Sequence, residues 1–278
     1  MKEFIGRSSS SLKLKSQLDI LKQQNVDVLL IGESGSGRDF CVEFLSGNNF
    51  FKIDAEFLEK ATQYIDLEIG HLYIDGLERL PIQAQIEILY LFEKRSFSNQ
   101  KKVKGRIFYS TTPQIFQKIQ KREFREDIFQ KIYAVRIEIP SLRERRSDIP
   151  FFIYYFIDKY NLKYKKRVKF LSEKLEEFLL NYEWKGNLTQ LESFLESQIL
   201  FSKGTTLDKK NLKINFLDSS VGKNELNIQT GISIEEYEKA IIEANLIHFQ
   251  GNRTKTAEAL GISLRHLYRK IKKFNLKL

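Results

Sequence analysis

The stretch "LIGESGSGRDF", residues 30–40, holds three glycines, Gly32, Gly35 and Gly37, between an apolar run and the start of a helical pattern. Glycines spaced in this way let backbone N–H groups turn toward an anion. A helix that begins near Arg38 directs the positive end of its dipole to the same place. The stretch therefore predicts a loop that cradles phosphate, set between a buried strand and a helix.

Strand-like runs surround this loop in the first half of the chain. They are VDVLLI (26–31), HLYID (71–75) and GRIFYS (105–110). These runs alternate with helical patterns such as IQAQIEILYLFEKR (82–95), whose apolar residues recur at helical spacing. Such alternation is typical of βαβ units, so we predict an α/β fold around a parallel sheet.

The second half of the chain reads as helices. After Pro150 the sequence has no proline, and helical patterns cover residues 150–160, 172–181 and 187–202. A polar stretch follows, and then a compact helical tail of about fifty residues. The sequence thus predicts four segments: an α/β part (1–140), a helical part (141–203), a linker (204–231) and a helical domain (232–278).

Charge and cysteine content limit the partners and the compartment. With 46 Lys and Arg against 36 Asp and Glu, the net charge is +10, which favours nucleic acid first and a membrane surface second. The single cysteine, Cys41, has no partner for an internal disulfide and suits a reducing compartment. The longest apolar run, FFIYYFI (151–157), is too short to cross a bilayer. We expect a cytoplasmic protein with no membrane association.

The tail "GNRTKTAEALGISLRHLYRKIKKFNL", residues 251–276, has the pattern of a helix-turn-helix. A short helix over Thr254–Leu260 is followed by a turn at Gly261. Ser263 is suited to cap a second helix that runs to about Phe274. One face of the second helix is strongly cationic. A merely solvated basic helix is the plainer alternative.

Residues 233–276 closely resemble the DNA-binding domain of the Fis family. The resemblance implies a homodimer that binds double-stranded DNA, with two recognition helices about 34 Å apart and a roughly palindromic site. The residues that it implies for DNA contact are Arg253, Lys255, Thr256, Ser263, Leu264, Arg265, His266, Tyr268, Arg269, Lys270 and Lys273.

The front of the chain resembles the sigma-54-interacting AAA+ domain of bacterial enhancer-binding regulators. The matching segments, in order, are FIGRS (4–8), GESGSGRD (32–39), LYIDGLERLP (72–81), FREDIFQKIYAV (124–135), IPSLRERRSDIP (139–150) and WKGNLTQLESFL (184–195). The resemblance implies a three-layer P-loop domain with a helical lid. The implied nucleotide-binding residues are Gly32, Glu33, Ser34, Gly35, Ser36, Gly37, Arg38, Asp39 and Asp75.

The chain departs from the family at the positions that carry catalysis. Arg38 stands where the family has the Walker A lysine, and Gly76 stands where it has the glutamate that activates water. Thr112 and Thr189 occupy the sensor I and sensor II positions. Of two arginine fingers, Arg125 persists and the second is Lys131.

These departures imply a pseudo-ATPase without a catalytic residue. We expect weak ATP or ADP binding, with Mg²⁺ only alongside a bound nucleotide, or else a loop that keeps only its shape. Residues 40–70 contain nothing like the family's GAFTGA loop, so no sigma-54 contact is expected.

The leading hypothesis is a DNA-binding transcription regulator with a degenerate AAA+ domain, which forms a higher oligomer or senses nucleotide. No sensing domain is expected ahead of the AAA+ segment. The alternatives are an active sigma-54-dependent activator ATPase and an architectural or repressor protein with a scaffold AAA+ domain.

Overall fold

The computed structural model describes residues 4–47, 49–64, 70–208, 234–249, 251–274 and 276. The chain forms two compact units, residues 1–218 and 219–278. Among the described residues, no helix is both long and apolar enough to cross a bilayer.

A parallel sheet lies at the centre of the first unit. Its strands are β1 (Val28–Ile31), β2 (Phe50–Asp54), β3 (His71–Asp75), β4 (Ile107–Thr111) and β5 (Arg136–Glu138). Their order across the sheet is β2-β3-β4-β1-β5, and every neighbouring pair is parallel. The predicted parallel α/β sheet is confirmed. The two edge strands, β2 and β5, were not predicted.

Helices cover both faces of this sheet. They are α1 (Ser9–Lys22), α2 (Arg38–Ser46), α3 (Leu58–Tyr64), α4 (Gln85–Lys94), α5 (Gln114–Gln120) and α6 (Glu126–Tyr133). Successive strand side chains point to opposite faces. Leu29 therefore joins a buried cluster with Ile88 of α4, whereas Leu30 joins one with Val42 of α2. The result is the predicted three-layer arrangement.

A helical lid completes the first unit. It consists of a 3₁₀ segment (Leu142–Asp148), α7 (Ile149–Tyr164), α8 (Glu173–Asn181), α9 (Asn187–Phe201) and a strand pair, β6 (Phe170–Leu171) and β7 (Thr206–Leu207). The three helices predicted here are confirmed. Trp184 is fully buried in the lid core, and its indole N–H donates to the carbonyl oxygen of Leu179 at 2.8 Å.

The structure differs from the sequence prediction at the start of the linker. Thr206 and Leu207 pair with Phe170 and Leu171, and Leu207 is buried in the lid core. A two-residue strand is too short to leave a periodic signal. The rest of the predicted linker, from residue 209 to 231, lies outside the described residues.

The second unit contains three helices, α10 (Ile234–His248), α11 (Arg253–Ala259) and α12 (Leu264–Lys273). Its small core is formed by Ile242, Leu246, Ala257 and Leu267. Gly261 has a φ of 63°, a left-handed conformation that favours glycine and makes the turn between α11 and α12. The predicted helix-turn-helix is confirmed, with α11 shifted by one residue.

Candidate nucleotide site and nucleic-acid interface

The glycine loop connects β1 to α2 in a conformation that favours glycine. Gly35 and Gly37 have φ values of 74° and 110°. A Cβ atom on Gly35 would collide with the carbonyl oxygen of Gly186 in the lid, and one on Gly32 would lie 2.6 Å from the hydroxyl of Ser36. Gly35 therefore allows the lid to approach the loop backbone, and Gly32 leaves room for Ser36.

A pocket of about 390 Å³ lies beside this loop. Residues 34–39 and Asp75 line part of it, and Thr189 of the lid also lines it. Of the predicted nucleotide-binding residues, Gly32 and Glu33 are not part of this lining among the residues that the structure describes. Apolar side chains line much of the remainder, namely Phe4, Ile5, Leu14, Phe152, Phe156 and Leu188. An apolar lining with a few convergent polar groups is typical of cofactor sites. A glycine loop at a helix N-terminus adds the groups that bind phosphate.

Two polar side chains of this pocket have unused hydrogen-bonding capacity. The Ser36 hydroxyl and the Nη1 atom of Arg38 are buried without a hydrogen-bond partner among the described residues. The Arg38 side chain is only 10% exposed, and its Nη2 atom lies 3.6 Å from a carboxylate oxygen of Asp75. Unpaired buried donors are costly, and a phosphate group would satisfy both. The residues present therefore fit a nucleotide.

Asp75, at the end of β3, is held ionised by its neighbours. Burial alone would raise its pKa, but the hydrogen bond from Ser110 and the charges of Arg38 and Lys52 outweigh that effect and lower the pKa. The hydroxyl of Tyr73 lies 3.1 Å from the same carboxylate. Asp75 therefore remains an anion at neutral pH.

Gly76 offers no base, and the next acid is turned into the sheet. Gly76 has a φ of 82°. The Glu78 side chain is 8% exposed. One oxygen of its carboxylate accepts from the Thr111 hydroxyl at 2.9 Å and the Thr112 N–H at 3.1 Å. Among the described residues, the pocket lining includes Asp75 but not Glu78.

Three groups of the lid donate hydrogen bonds to three consecutive backbone carbonyl groups of the glycine loop. Asn187 donates to the carbonyl oxygen of Ser34 at 2.9 Å, the N–H of Leu188 to that of Gly35 at 2.9 Å, and Arg145 to that of Ser36 at 2.7 Å. Arg143 and Asn187 also bond the side chain of Glu33. The lid thus binds the loop through its backbone carbonyl groups.

The two arginine-finger positions lie outside this pocket. Arg125 is exposed and forms a bidentate pair with Asp127 at 3.1 and 2.7 Å. Lys131 pairs with Glu93 at 2.6 Å. Neither lines the pocket of its own chain within the described residues.

The exposed side of α12 carries the cationic surface predicted from the sequence. Arg265, Arg269 and Tyr268 are exposed, and the guanidinium group of Arg253 lies 4.9 Å from the centre of the Tyr268 ring. The Ser263 hydroxyl accepts from the N–H of His266 at 3.2 Å, which caps the helix as expected. Leu264 is 40% exposed, so it lies at the surface.

Three other predicted DNA-binding residues are engaged within the domain. Lys270 and Lys273 pair with Glu238 and Glu235 of α10, at 2.5 and 2.6 Å. The Thr256 side chain is fully buried and its hydroxyl donates to the carbonyl oxygen of Asn252 at 2.9 Å. Lys255 is exposed.

Comparisons with known proteins agree with this architecture. Three family models match consecutive segments: the sigma-54 interaction domain (5–142), the AAA+ ATPase lid domain (143–228) and the bacterial regulatory protein, Fis family (233–274). The chain therefore belongs to the sigma-54-interaction-domain regulators that end in a Fis-type DNA-binding domain.

Individual relatives match nearly the whole of this chain and are longer proteins. A signal-transduction and transcriptional-control protein of Clostridium beijerinckii is 26% identical over 99% of this chain and 49% of its own length. The transcriptional regulatory protein ZraR of Escherichia coli is 24% identical over 96% of this chain and 68% of its own. The chain thus spans about half the length of the first and about two thirds of the second.

Solved structures share the fold. NtrX from Brucella abortus in complex with ATP has a TM-score of 0.71 at 22% identity. The match covers 99% of this chain and 70% of the NtrX chain. The same protein in complex with ADP gives a TM-score of 0.70 at 22% identity, with the same coverage.

Sequence reasoning missed the residues that hold the loop from a distance. Asn187 and Arg145 lie in segments that were matched to the lid, but nothing in their spacing indicates that they contact the loop. Lys52 gave no signal in the sequence, where it lies in the run FFKID (50–54).

Proposed function

We propose that this chain is a DNA-binding transcription regulator whose AAA+ domain holds ATP or ADP without hydrolysing it. The observation that carries the proposal is the loss of the carboxylate next to Asp75, the residue at the end of β3 that lines the pocket together with the glycine loop. The other acids of the lining, Asp39 and Glu192, pair with Lys52 and Lys159. Gly76 has no side chain, and Glu78 is bound to Thr111 and Thr112.

Nucleotide binding is supported by the unpaired donors of Ser36 and Arg38 and by the loop glycines. The NtrX structures that share the fold hold ATP and ADP, which makes these the nucleotides to test. Arg38 is longer than lysine and planar, and its contact with Asp75 competes with phosphate. We therefore infer weak binding.

DNA binding is supported by the exposed arginines of α12. We propose Arg265, His266 and Arg269 for base contacts, with Arg253 and Lys255 on phosphates. Thr256 is left out because it is buried. The family resemblance adds a homodimer and a roughly palindromic site, and DNA binding implies a cytoplasmic location. A higher oligomer through the AAA+ domain remains part of the proposal.

Contact with sigma-54 is not proposed, because residues 40–70 lack a GAFTGA-like stretch. In the alternative, architectural or repressor role, the AAA+ domain is only a scaffold, and the protein acts without binding a nucleotide.

Two measurements on the full chain test the proposal. Selection of bound sequences from random duplexes should yield a palindromic site, and titration of a fluorescent ADP analogue should yield saturable binding. Sequence-independent DNA binding together with no nucleotide binding would support the architectural role instead.

A further inference from the structure

The site that would hold a divalent cation in this fold contains a lysine. In P-loop nucleotide sites, Mg²⁺ is held by a serine or threonine hydroxyl after the Walker lysine and by the Walker B aspartate. This chain has Asp39 at the first position and keeps Asp75 at the second. The Tyr73 hydroxyl lies 2.9 Å from Asp39 and 3.1 Å from Asp75, so one hydroxyl reaches both carboxylates.

Lys52 bridges these carboxylates. Its Nζ atom lies 2.9 and 2.8 Å from the two carboxylate oxygens of Asp39 and 3.2 Å from Oδ2 of Asp75. Mg²⁺ requires oxygen ligands in near-octahedral arrangement at about 2.0–2.1 Å. A cation already occupies the space between the two candidate ligands, so the residues present do not fit Mg²⁺.

The sheet register explains how Lys52 reaches this position. Lys52 of β2 pairs with Tyr73 of the parallel strand β3, so both side chains point to the same face of the sheet. The ammonium group lies 5.0 Å from the centre of the Tyr73 ring, and α2, which carries Asp39, packs on that face. The bridge therefore joins side chains from three elements, β2, β3 and α2.

The charges of the cluster balance without a metal. Arg38 and Lys52 supply two positive charges against the two negative charges of Asp39 and Asp75. Although burial works against its charge, Lys52 has a raised pKa because Asp39 and Asp75 stabilise the ammonium form. Lys52 therefore stays protonated throughout the physiological pH range.

We propose that the Lys52 ammonium group takes the position of the divalent cation, so that this pocket binds a nucleoside di- or triphosphate free of metal. The proposal rests on the proposed nucleotide binding. It assigns to Arg38 and Lys52 together the positive charge that a lysine and a metal ion supply elsewhere.

The first test measures the Kd of a fluorescent ADP analogue for the full chain in excess Mg²⁺ and in excess EDTA. The expected Kd is the same in both. In Lys52→Met, two carboxylates lose their bridging cation, so we expect binding in EDTA to weaken by about tenfold and Mg²⁺ to restore it. Wild-type binding that requires Mg²⁺ would overturn the proposal.

The second test needs no nucleotide and separates the two proposals. Mn²⁺ uptake is measured for wild type, Lys52→Met and Lys118→Met. The electron paramagnetic resonance signal of the free ion is monitored, because it decreases as Mn²⁺ binds. Lys118 forms an exposed pair with Glu123 at 2.6 Å, so its loss is a matched control, and thermal melting checks the fold of each variant. Uptake by Lys52→Met alone supports the role of Lys52. Uptake by wild type, or by no variant, contradicts it, whether or not nucleotide binds.

Discussion

The side-chain amide of Asn187 donates to the carbonyl oxygen of Ser34 at 2.9 Å and so ties the lid to the glycine loop. The carbonyl oxygen of the same side chain accepts from the N–H of Leu142 at 2.7 Å. Asn187 is fully buried and has a φ of 53°, a conformation that asparagine tolerates better than most residues. One side chain therefore fixes the loop, the start of the lid and the start of α9.

Replacement of Asn187 should destabilise the first unit. Asn187→Ala leaves the Ser34 carbonyl and the Leu142 N–H without these partners, and each such loss costs about 1–3 kcal/mol. We expect the free energy of unfolding, measured with urea, to fall by about 2–4 kcal/mol. Asn181→Ala is the matched control, because Asn181 is exposed and its amide bonds only the Glu177 carbonyl at 3.0 Å among the contacts described. Equal losses in the two variants would refute the role of Asn187 as a tie.

The arginines of α12 should matter more for DNA than its C-terminal lysine. Arg269→Ala removes an exposed cation proposed to contact a base edge, which should cost about 1–3 kcal/mol of binding and relax the sequence preference. Lys273 already pairs with Glu235, so Lys273→Ala should change affinity less. Fluorescence anisotropy with the selected duplex measures both, and the reverse ranking would be inconsistent with the proposed surface.

The salt dependence of DNA binding provides a separate check on the same surface. If about six phosphates are neutralised, the plot of log K against log salt should have a slope of about −5. Titrations of the full chain at several salt concentrations measure the slope. A slope near zero would exclude an electrostatic DNA interface.

Acid should destabilise the fold through Asp148. Burial alone would raise the pKa of this carboxyl, but hydrogen bonds from Ser11, Ser8 and two backbone N–H groups outweigh it and hold the pKa below its ordinary value of 3.8. A group whose pKa is lowered by folding stabilises the protein above its unfolded value, and that stability is lost as pH falls through the folded pKa. Asp148→Asn should therefore be less stable than wild type at pH 7, with a difference that shrinks below about pH 4. Urea unfolding at several pH values measures this, and a pH-independent difference would argue against it.

Introducing a glutamate at position 76 should not restore ATP hydrolysis. Gly76 has a φ of 82°, and a Cβ atom there would collide with the guanidinium group of Arg79, which pairs with Asp54 at 2.8 Å. Gly76→Glu must strain the backbone, at about 1–3 kcal/mol, and displace Arg79. We expect a lower melting temperature and no gain in ATP hydrolysis. A variant that hydrolyses ATP briskly would indicate that only the base is missing.

Much of the fold was predictable from the sequence because local patterns determine it. The strand at 71–75 has the predicted bounds, since a buried parallel strand is a short apolar run bounded by polar residues. The cap at Ser263 and the turn at Gly261 were predictable because each depends on the chemistry of a single residue. The two edge strands escaped prediction, because β5 has three residues and β2 mixes exposed and buried positions.

The site was predictable only where a residue acts through its own chemistry. Gly76 has no side chain that could act as a base, and this holds whatever residues surround it. The partners of Glu78, Lys52 and Lys273 depend on register and helix packing, which bring together residues far apart in the chain. The pairing of Lys273 with Glu235 could be found only once α10 and α12 were placed against each other.

The central claim is tested most directly by measuring phosphate release from ATP by the purified wild-type chain in Mg²⁺. Loss of a general base costs about 10²–10⁴ in rate, and an ordinary enzyme turns over about 10 times per second. The account predicts release below about 0.1 per second, not lowered further by Glu78→Gln. Sustained release at about 10 per second would contradict it.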